Sequence, residues 1–421
     1  MTLTPRRAPR PLAAAQVPGL LRPGMNVYVA GSSGEPSTLF EVLKAQSPAA
    51  AGVHFIQFPI PPLNATDFTA LTPTTRQSVF FRSPALRDAE PARLHFVPMH
   101  MRRVVDRLVA EPPDLALLQV AADADGVLRI AANADFAGAV CDNGHTRVVA
   151  ALNPDLPVPR GAPSAAGRID DLVEDLPGFV PEFPAPKIDD VAARIGAHVA
   201  GLIRDGDCLQ TGIGAIPAAV LGGLSDKRDL GFHGGLIDDG VLALIECGAM
   251  TGQAKTFEAR RHVAGMVLAS AAAQARLAER DDVDLRGADH THEAGIIARI
   301  DNFVSINSAV EVDVMGQING EFAGGRQISG TGGSVDFMRA VRGSRGGRSI
   351  VALPATARGG SVSRIVERVE MVTALRTDVD LVVTEHGVAD LRDRSLGERR
   401  ERLAAIAAPE FRDALLKGEE L

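Results

Sequence analysis

The sequence predicts an α/β protein: two tandem domains, each an open sheet with largely parallel strands. Three observations point there. Short apolar runs recur along all 421 residues, separated by stretches of helical period. Two of these runs, far apart in the chain, are each followed by a glycine-rich loop and then a helix pattern. The length suits roughly two domains of 100–200 residues, and 46% hydrophobic with 23% charged residues is ordinary for a chain that buries a core.

The elements follow in order. Buried strands are predicted at Val27–Ala30, Val53–Phe58, Leu115–Val120, Val148–Leu152, Cys208–Gln210, Met266–Ala269, Phe303–Ile306, Ile350–Leu353 and Leu381–Thr384. Helical patterns lie between many of them, as at Asp189–Ile203 and Pro217–Leu224. From Pro154 to Pro186 prolines crowd the chain, which predicts an extended linker and a boundary near residue 187. The expected domains are therefore 1–187 and 188–421. Each opens alike: a tight turn, a strand, a glycine loop (Gly31-Ser32-Ser33-Gly34-Glu35-Pro36; Thr211-Gly212-Ile213-Gly214-Ala215-Ile216-Pro217), then a helix with proline in its first turn.

Composition excludes several functions. Lys plus Arg is 44 and Asp plus Glu is 52, a net charge of −8. That field does not suit tracking a nucleic-acid backbone, and 4% aromatic residues without Trp offer few stacking platforms. Three scattered cysteines make no disulfide framework and no CxxC pair, and they read as core residues of a protein in a reducing cytoplasm. No apolar run reaches the ~20 residues of a membrane span. The basic segment Thr4–Pro11 lacks an apolar stretch behind it and reads as a flexible lead-in, not a secretory signal.

The glycine loops carry the candidate chemistry. In Gly212-Ile213-Gly214, between strand and helix, glycines admit a ligand close to the backbone and the first helical N–H groups point outward. The same residues also suit a plain tight turn. The loop lacks the GK[ST] of a P-loop and the third glycine of a dinucleotide fingerprint. A second cluster, Gly330-Thr331-Gly332-Gly333-Ser334-Val335-Asp336-Phe337, sits between a strand at Val310–Val314 and a helix near Asp336. Arg358, beside Gly359-Gly360, is either a phosphate contact or a solvated loop arginine. Asp289-His290-Thr291-His292-Glu293 has metal-like residue types, but no further ligand spacing accompanies it, and a polar loop is expected. Strand alternation puts Val310, Val312 and Val314 on one face and Glu311 and Asp313 on the other. No GxSxG elbow occurs.

Taken together, Leu209–Pro217, Ile306–Asp313, the Gly330–Phe337 loop, Ser363-Arg364-Ile365-Val366, Val383–Ala389 and Ala408-Pro409-Glu410-Phe411-Arg412 make the chain similar to the acetyl-CoA hydrolase/transferase family, which includes 4-hydroxybutyrate and acetate CoA-transferases. The resemblance spans nearly the whole length. It implies two CoA-transferase-like open-sheet domains, an acyl side and then a CoA side, in a homodimer or tetramer. Coenzyme A enters as part of the substrate and no metal is expected. Gln210, Thr211, Gly212, Ile213, Gly214, Gly332, Gly333 and Arg358 would contact CoA, and Glu35, Gly234 and Gly235 would border the acyl group. Partners would be an acyl-CoA and a small carboxylate, with no nucleic acid and no membrane.

One departure reshapes the functional expectation. Relatives attack the thioester with a glutamate in a Gly-Val-His-Thr-Glu-Met type segment. Here it reads Gly231-Phe232-His233-Gly234-Gly235-Leu236, so Gly235 stands at the glutamate position. Ala121-Ala122-Asp123 likewise replaces the Ser-Pro-Pro-Asp type segment. The expected activity is hydrolysis of an acyl-CoA without a covalent glutamate, water being activated by His233 or a nearby carboxylate such as Glu311. The alternatives are CoA transfer through a relocated glutamate (Glu311 or Glu35), ring-opening C–C hydrolysis of a CoA thioester with room for a bulky acyl group at Gly234-Gly235, and CoA binding without catalysis.

Overall fold

The computed structural model describes residues 8–417. The chain folds as two compact units: one runs to Pro184 and takes in Val263–His290, the other comprises Ala185–His262 and Thr291 onward. The sequence reading places a single division near 187. The units divide there and twice more, because 263–290 packs with the N-terminal unit. Two main-chain bonds tie it in: Val267 N–H to Ala132 O and Ala134 N–H to Gly265 O, each 2.8 Å.

The large sheet of the first unit has nine strands among the described residues. Its order is Arg10–Pro11, Asp171–Val173, Arg147–Leu152, Leu115–Ala122, Asn26–Val29, His54–Gln57, Arg76–Val79 and Leu94–Phe96, all neighbours parallel. Leu128–Arg129 folds back antiparallel on Leu115–Ala122. The central strands are unbroken apolar runs because helices cover both faces of a parallel sheet. Val27, Val29, Phe55, Leu115, Leu117 and Val149 pack with Leu39, Phe40 and Leu43 of the helix Ser37–Ala45, and Phe55 stacks on Phe68 at 4.4 Å.

The second unit holds a six-stranded sheet: Gly231–Phe232, Cys208–Thr211, Phe303–Ser308, Arg348–Ala352, Leu381–Thr384 and Gly387–Asp390. All pairs are parallel except the last, a hairpin. The helix Asp190–Ala200 starts where Asp189 accepts the Ala192 N–H at 2.8 Å. It packs against the helix Ala215–Gly222.

Several expectations need correction. The Pro154–Pro186 stretch is not a free linker: Asp171–Val173 joins the sheet, and Leu156, Ile169 and Val173 are buried, so apolar side chains anchor what the prolines leave extended. Met266–Ala269 supplies only a two-residue strand, Met266–Val267, outside both large sheets. Arg10–Pro11 pairs with Asp171–Leu172, so this end of the basic lead-in is ordered, while residues 1–7 lie outside the described residues. Cys141 and Cys208 are core residues, but Cys247 is exposed at the end of the helix Asp239–Glu246. Asp313 is buried instead of wet, because its carboxylate caps a turn, accepting the N–H groups of Met315 (3.1 Å) and Gln317 (2.9 Å). No helix among the described residues is long and apolar enough to cross a membrane.

Candidate functional site

The second unit builds its site at the carboxyl end of Cys208–Thr211. The strand stops at Thr211, and Gly212-Ile213-Gly214 turns into the helix Ala215–Gly222. Gly214 lies in the left-handed region at φ +113°, which only glycine adopts freely. A Cβ built at Gly212 or Gly214 would meet nothing within 4 Å. The loop is thus bare backbone beside open space, and the first helical N–H groups have no partner inside the helix.

That space is a cleft of about 700 Å³, lined among others by Ile213, Gly214, Ser308, Thr356, Arg358 and Arg364. Arg358 and Gly359-Gly360 form a run of positive φ (50°, 66° and 93°), a conformation that turns the loop sharply. Arg364 is half-buried; burial pulls its pKa down while Glu311 and Glu385 hold it up. Its Nη1 donates to Val310 O at 3.4 Å. Two guanidiniums and the backbone amides of a glycine loop around one cleft suit a phosphorylated, anionic ligand.

Beneath the loop the strand ends are cross-linked by side chains. Gln210 Oε1 accepts from Ser305 Oγ (2.9 Å) and Asn307 Nδ2 (3.2 Å). Thr211 Oγ1 is buried and has no hydrogen-bond partner among the described residues. Of the residues expected at CoA, Ile213, Gly214 and Arg358 line the cleft. Gln210 and Thr211 sit under it, and Gly212 is half-buried between.

Gly332 (φ +53°) and Gly333 are not among the cleft-lining residues, and Gly333 belongs to a second cluster, centred on His292. The Cβ that Gly333 lacks would fall 2.1 Å from His292 Nε2, and the one that Gly235 lacks would fall 3.3 Å from His292 Cε1 and Nε2. The ring packs on Phe337 at 4.5 Å between centroids, and its Nδ1 lies 2.8 Å from Thr291 Oγ1. Burial lowers its pKa to about 3, so the imidazole is neutral at neutral pH. A Cβ at Gly234 would meet the Phe232 ring at 3.0 Å, and Gly235 faces His292.

His233 is fully enclosed. Its Nε2–H donates to Thr291 O at 3.1 Å, and its Nδ1 lies 3.9 Å from a Glu258 carboxylate oxygen. The structure therefore presents His233 as a support for the Thr291-His292 turn and not as a base at the cleft. Glu311 is half-buried, accepts from Asn319 Nδ2 at 3.2 Å and faces Arg364. Neither is among the cleft-lining residues. Glu35 lies in the first unit, 4% exposed, accepting from Gln57 Nε2 (2.6 Å) and Ser37 Oγ (3.1 Å); burial raises its pKa to about 7.

Sequence reasoning missed Arg364 as a cleft-lining residue and the packing of His292 between two glycines. Arg364 stood in a family-like segment, a signal that was there to use. His292 sat in the metal-like run, which is helical at Ala288–Thr291, and no cluster of three or more His, Cys, Asp or Glu suited to a metal occurs among the described residues. Its importance comes from two glycines distant in sequence that leave room for its ring.

Comparison with known proteins follows this geometry. Residues 271–418 match the family described as the acetyl-CoA hydrolase/transferase C-terminal domain. The chain is 36% identical over 349 residues to a 4-hydroxybutyrate coenzyme A transferase of Clostridium kluyveri, covering 81% of each. The structure is similar to that of RipA from Yersinia pestis, with a TM-score of 0.88, 28% identity and 96% of each chain covered. It is also similar to a 4-hydroxybutyrate CoA-transferase from Porphyromonas gingivalis, with a TM-score of 0.80, 30% identity and 96% of each chain covered.

Proposed function

The chain belongs to the acetyl-CoA hydrolase/CoA-transferase family, and from that premise we propose that it hydrolyses an acyl-CoA thioester without forming a covalent glutamyl intermediate at position 235. One observation carries this reading. Gly235 offers no carboxylate, and the His292 ring stands against its Cα, 3.3 Å from where a Cβ would be. Residue 235 itself supplies no nucleophilic carboxylate, and a side chain there would press on the His292 ring.

The cleft supports the CoA half of the reading. Arg358 and Arg364 meet the charge of a phosphorylated nucleotide, and the Gly212–Gly214 amides approach a ligand without side chains intervening. Backbone N–H groups aimed at a thioester carbonyl stabilise the oxyanion that forms when water adds to it. The acceptor of the acyl group is then water, not a second carboxylate. CoA transfer through Glu311 is the second reading. It is favoured by the neighbourhood of Glu311, a carboxylate able to act as a nucleophile, and the cleft-lining Arg364.

The experiment mixes the purified protein with acetyl-, butyryl- and benzoyl-CoA, with and without acetate, and follows free thiol. Thiol release that needs no acetate is the expected result. CoA exchange that requires acetate, with a glutamyl thioester trapped by borohydride, overturns the hydrolytic reading in favour of transfer.

A further inference from the structure

Two short strands, Thr356–Ala357 and Val362–Ser363, pair antiparallel and carry Arg358-Gly359-Gly360 at their turn. The base of this hairpin is locked. Ala355 is fully buried, its N–H donates to Glu385 Oε2 at 2.8 Å, and its carbonyl oxygen accepts the Arg364 N–H at 2.9 Å. Beyond the base the tethers stop. Among the described residues no hydrogen bond joins 356–362 to the rest of the protein, and the Ser361 hydroxyl turns back onto Arg358 O at 2.9 Å. Arg358, Gly359, Ser361 and Val362 are exposed, and a Cβ at Gly359 or Gly360 would meet nothing within 4 Å. Yet the stretch from Thr356 to Gly360 lines the cleft, together with Gly214 and Ile216. A ladder of two residue pairs contributes little stability of its own, and a segment with few tethers moves at low cost. The cleft thus has a fixed wall at the Gly212–Gly214 loop and a wall that is held only at its foot.

We propose that the Thr356–Ser363 hairpin is a lid that closes on the phosphorylated end of CoA in this cleft, with Arg358 as its latch. This rests on the reading of the cleft as a CoA site given above. Arg358 is the one charged residue of the hairpin, and its guanidinium makes no ion pair among the described residues. A phosphoryl group in the cleft gives the tip the partner that the protein does not. The closed state then gains a contact that the open state lacks, and that difference is what moves the equilibrium. The bend falls at Thr356 and Ser363, because the bonds at Ala355 hold what lies behind them. Arg364, bonded through its backbone to Ala355, stays with the base. The two guanidiniums therefore have different duties: Arg364 belongs to the fixed wall and Arg358 to the moving one. Such a lid acts on departure more than on arrival, since the ligand enters an open cleft and leaves only when the latch releases.

The test uses the full chain with and without CoA. Hydrogen exchange of 356–362 and tryptic cleavage of the Arg358–Gly359 bond are read by mass spectrometry. Both should be fast without ligand and slow by about tenfold or more under saturating CoA. Pantetheine, which lacks the phosphates, should slow neither. A second chain replaces Arg358–Ser361 by the two-residue turn Asn-Gly, which joins Ala357 to Val362 and leaves the base intact. In stopped flow its CoA dissociation should quicken by about tenfold or more, with association within about threefold of wild type. Arg358→Gln keeps the hairpin but not its charge, and should quicken dissociation severalfold. CoA that binds by calorimetry yet leaves exchange and cleavage at 356–362 unchanged overturns the lid and leaves the CoA site standing. So does dissociation from the shortened chain within about twofold of wild type. Protection by pantetheine equal to that by CoA overturns the phosphate latch. A protein that binds no CoA overturns the CoA reading, and the lid with it.

Discussion

The two glycine loops follow one local plan and end in opposite states. Both leave a buried parallel strand and enter a helix. In the first unit the loop at Gly31–Glu35 is filled by the protein's own groups. Ser32, at φ +56°, donates its N–H to Asn64 Oδ1 at 2.6 Å and accepts from Asn64 Nδ2 at 3.1 Å. Gln119 Nε2 donates to Ser33 O at 2.5 Å, and Asn133 Nδ2 donates to Gly31 O at 2.9 Å. In the second unit nothing approaches Gly212 or Gly214, and the cleft begins at their backbone. A glycine loop is therefore no site by itself. What decides is whether neighbouring side chains satisfy its amides and carbonyls or leave them for a ligand.

The largest expected contrast is steric. A Cβ at Gly31 would lie 1.9 Å from Phe58 O, a backbone atom that cannot swing aside. Gly31→Ala should destabilise the first unit by about 3 kcal/mol or more, read as loss of its thermal transition or of folded yield. A variant that melts like wild type breaks the claim that this loop is closed.

Next comes the carboxylate sealed behind that loop. Burial raises the Glu35 pKa from 4.5 to about 7, so between these values the folded protein holds a proton that the unfolded chain releases. Stability must then fall as pH rises through that window, by roughly 2–3 kcal/mol for this group, and level off above it. Glu35→Gln removes this dependence. Thermal melts at pH 5 and pH 8 should separate for wild type and draw together for the variant; equal separations in both refute the assignment.

Gly212→Ala sharpens the comparison from the other side. With open space around it, the methyl should change stability by no more than about 0.5 kcal/mol. It should also weaken CoA about tenfold, because it stands between ligand and amide. A melting shift as large as that of Gly31→Ala would make the two loops alike. The smallest effect expected is that of Arg358→Gln, an exposed side chain at the rim. CoA affinity should fall severalfold at low salt and by less at high salt, since the lost interaction is screened. A loss independent of ionic strength would argue for a packing role.

Much of the fold was legible because parallel strands buried on both faces leave continuous apolar runs in the chain. Val27–Ala30, Leu115–Val120, Cys208–Gln210 and Phe303–Ile306 all fall within or beside strands of the two sheets. Arg76–Val79 and Asp171–Val173 were not legible, since Arg76, Gln77, Ser78 and Asp171 are polar and become strands only through pairing with neighbours already in place. In the site, the open loop at 212–214 and Arg358 could be read from residue type and motif. So could the missing side chain at Gly235. The occupant of that gap could not.

The sequence by itself determined the alternation of strands and helices, the glycine loops and the absence of a carboxylate at 235, because these depend on local pattern and residue identity. Only the tertiary structure decided that Asn64 and Gln119 close one loop while the other stays open. It also decided that His233 is a buried support and that His292 fills the space between Gly235 and Gly333. Those outcomes depend on side chains from segments far apart in the chain competing for the same few ångströms, and packing at that scale leaves no period or spacing in the sequence.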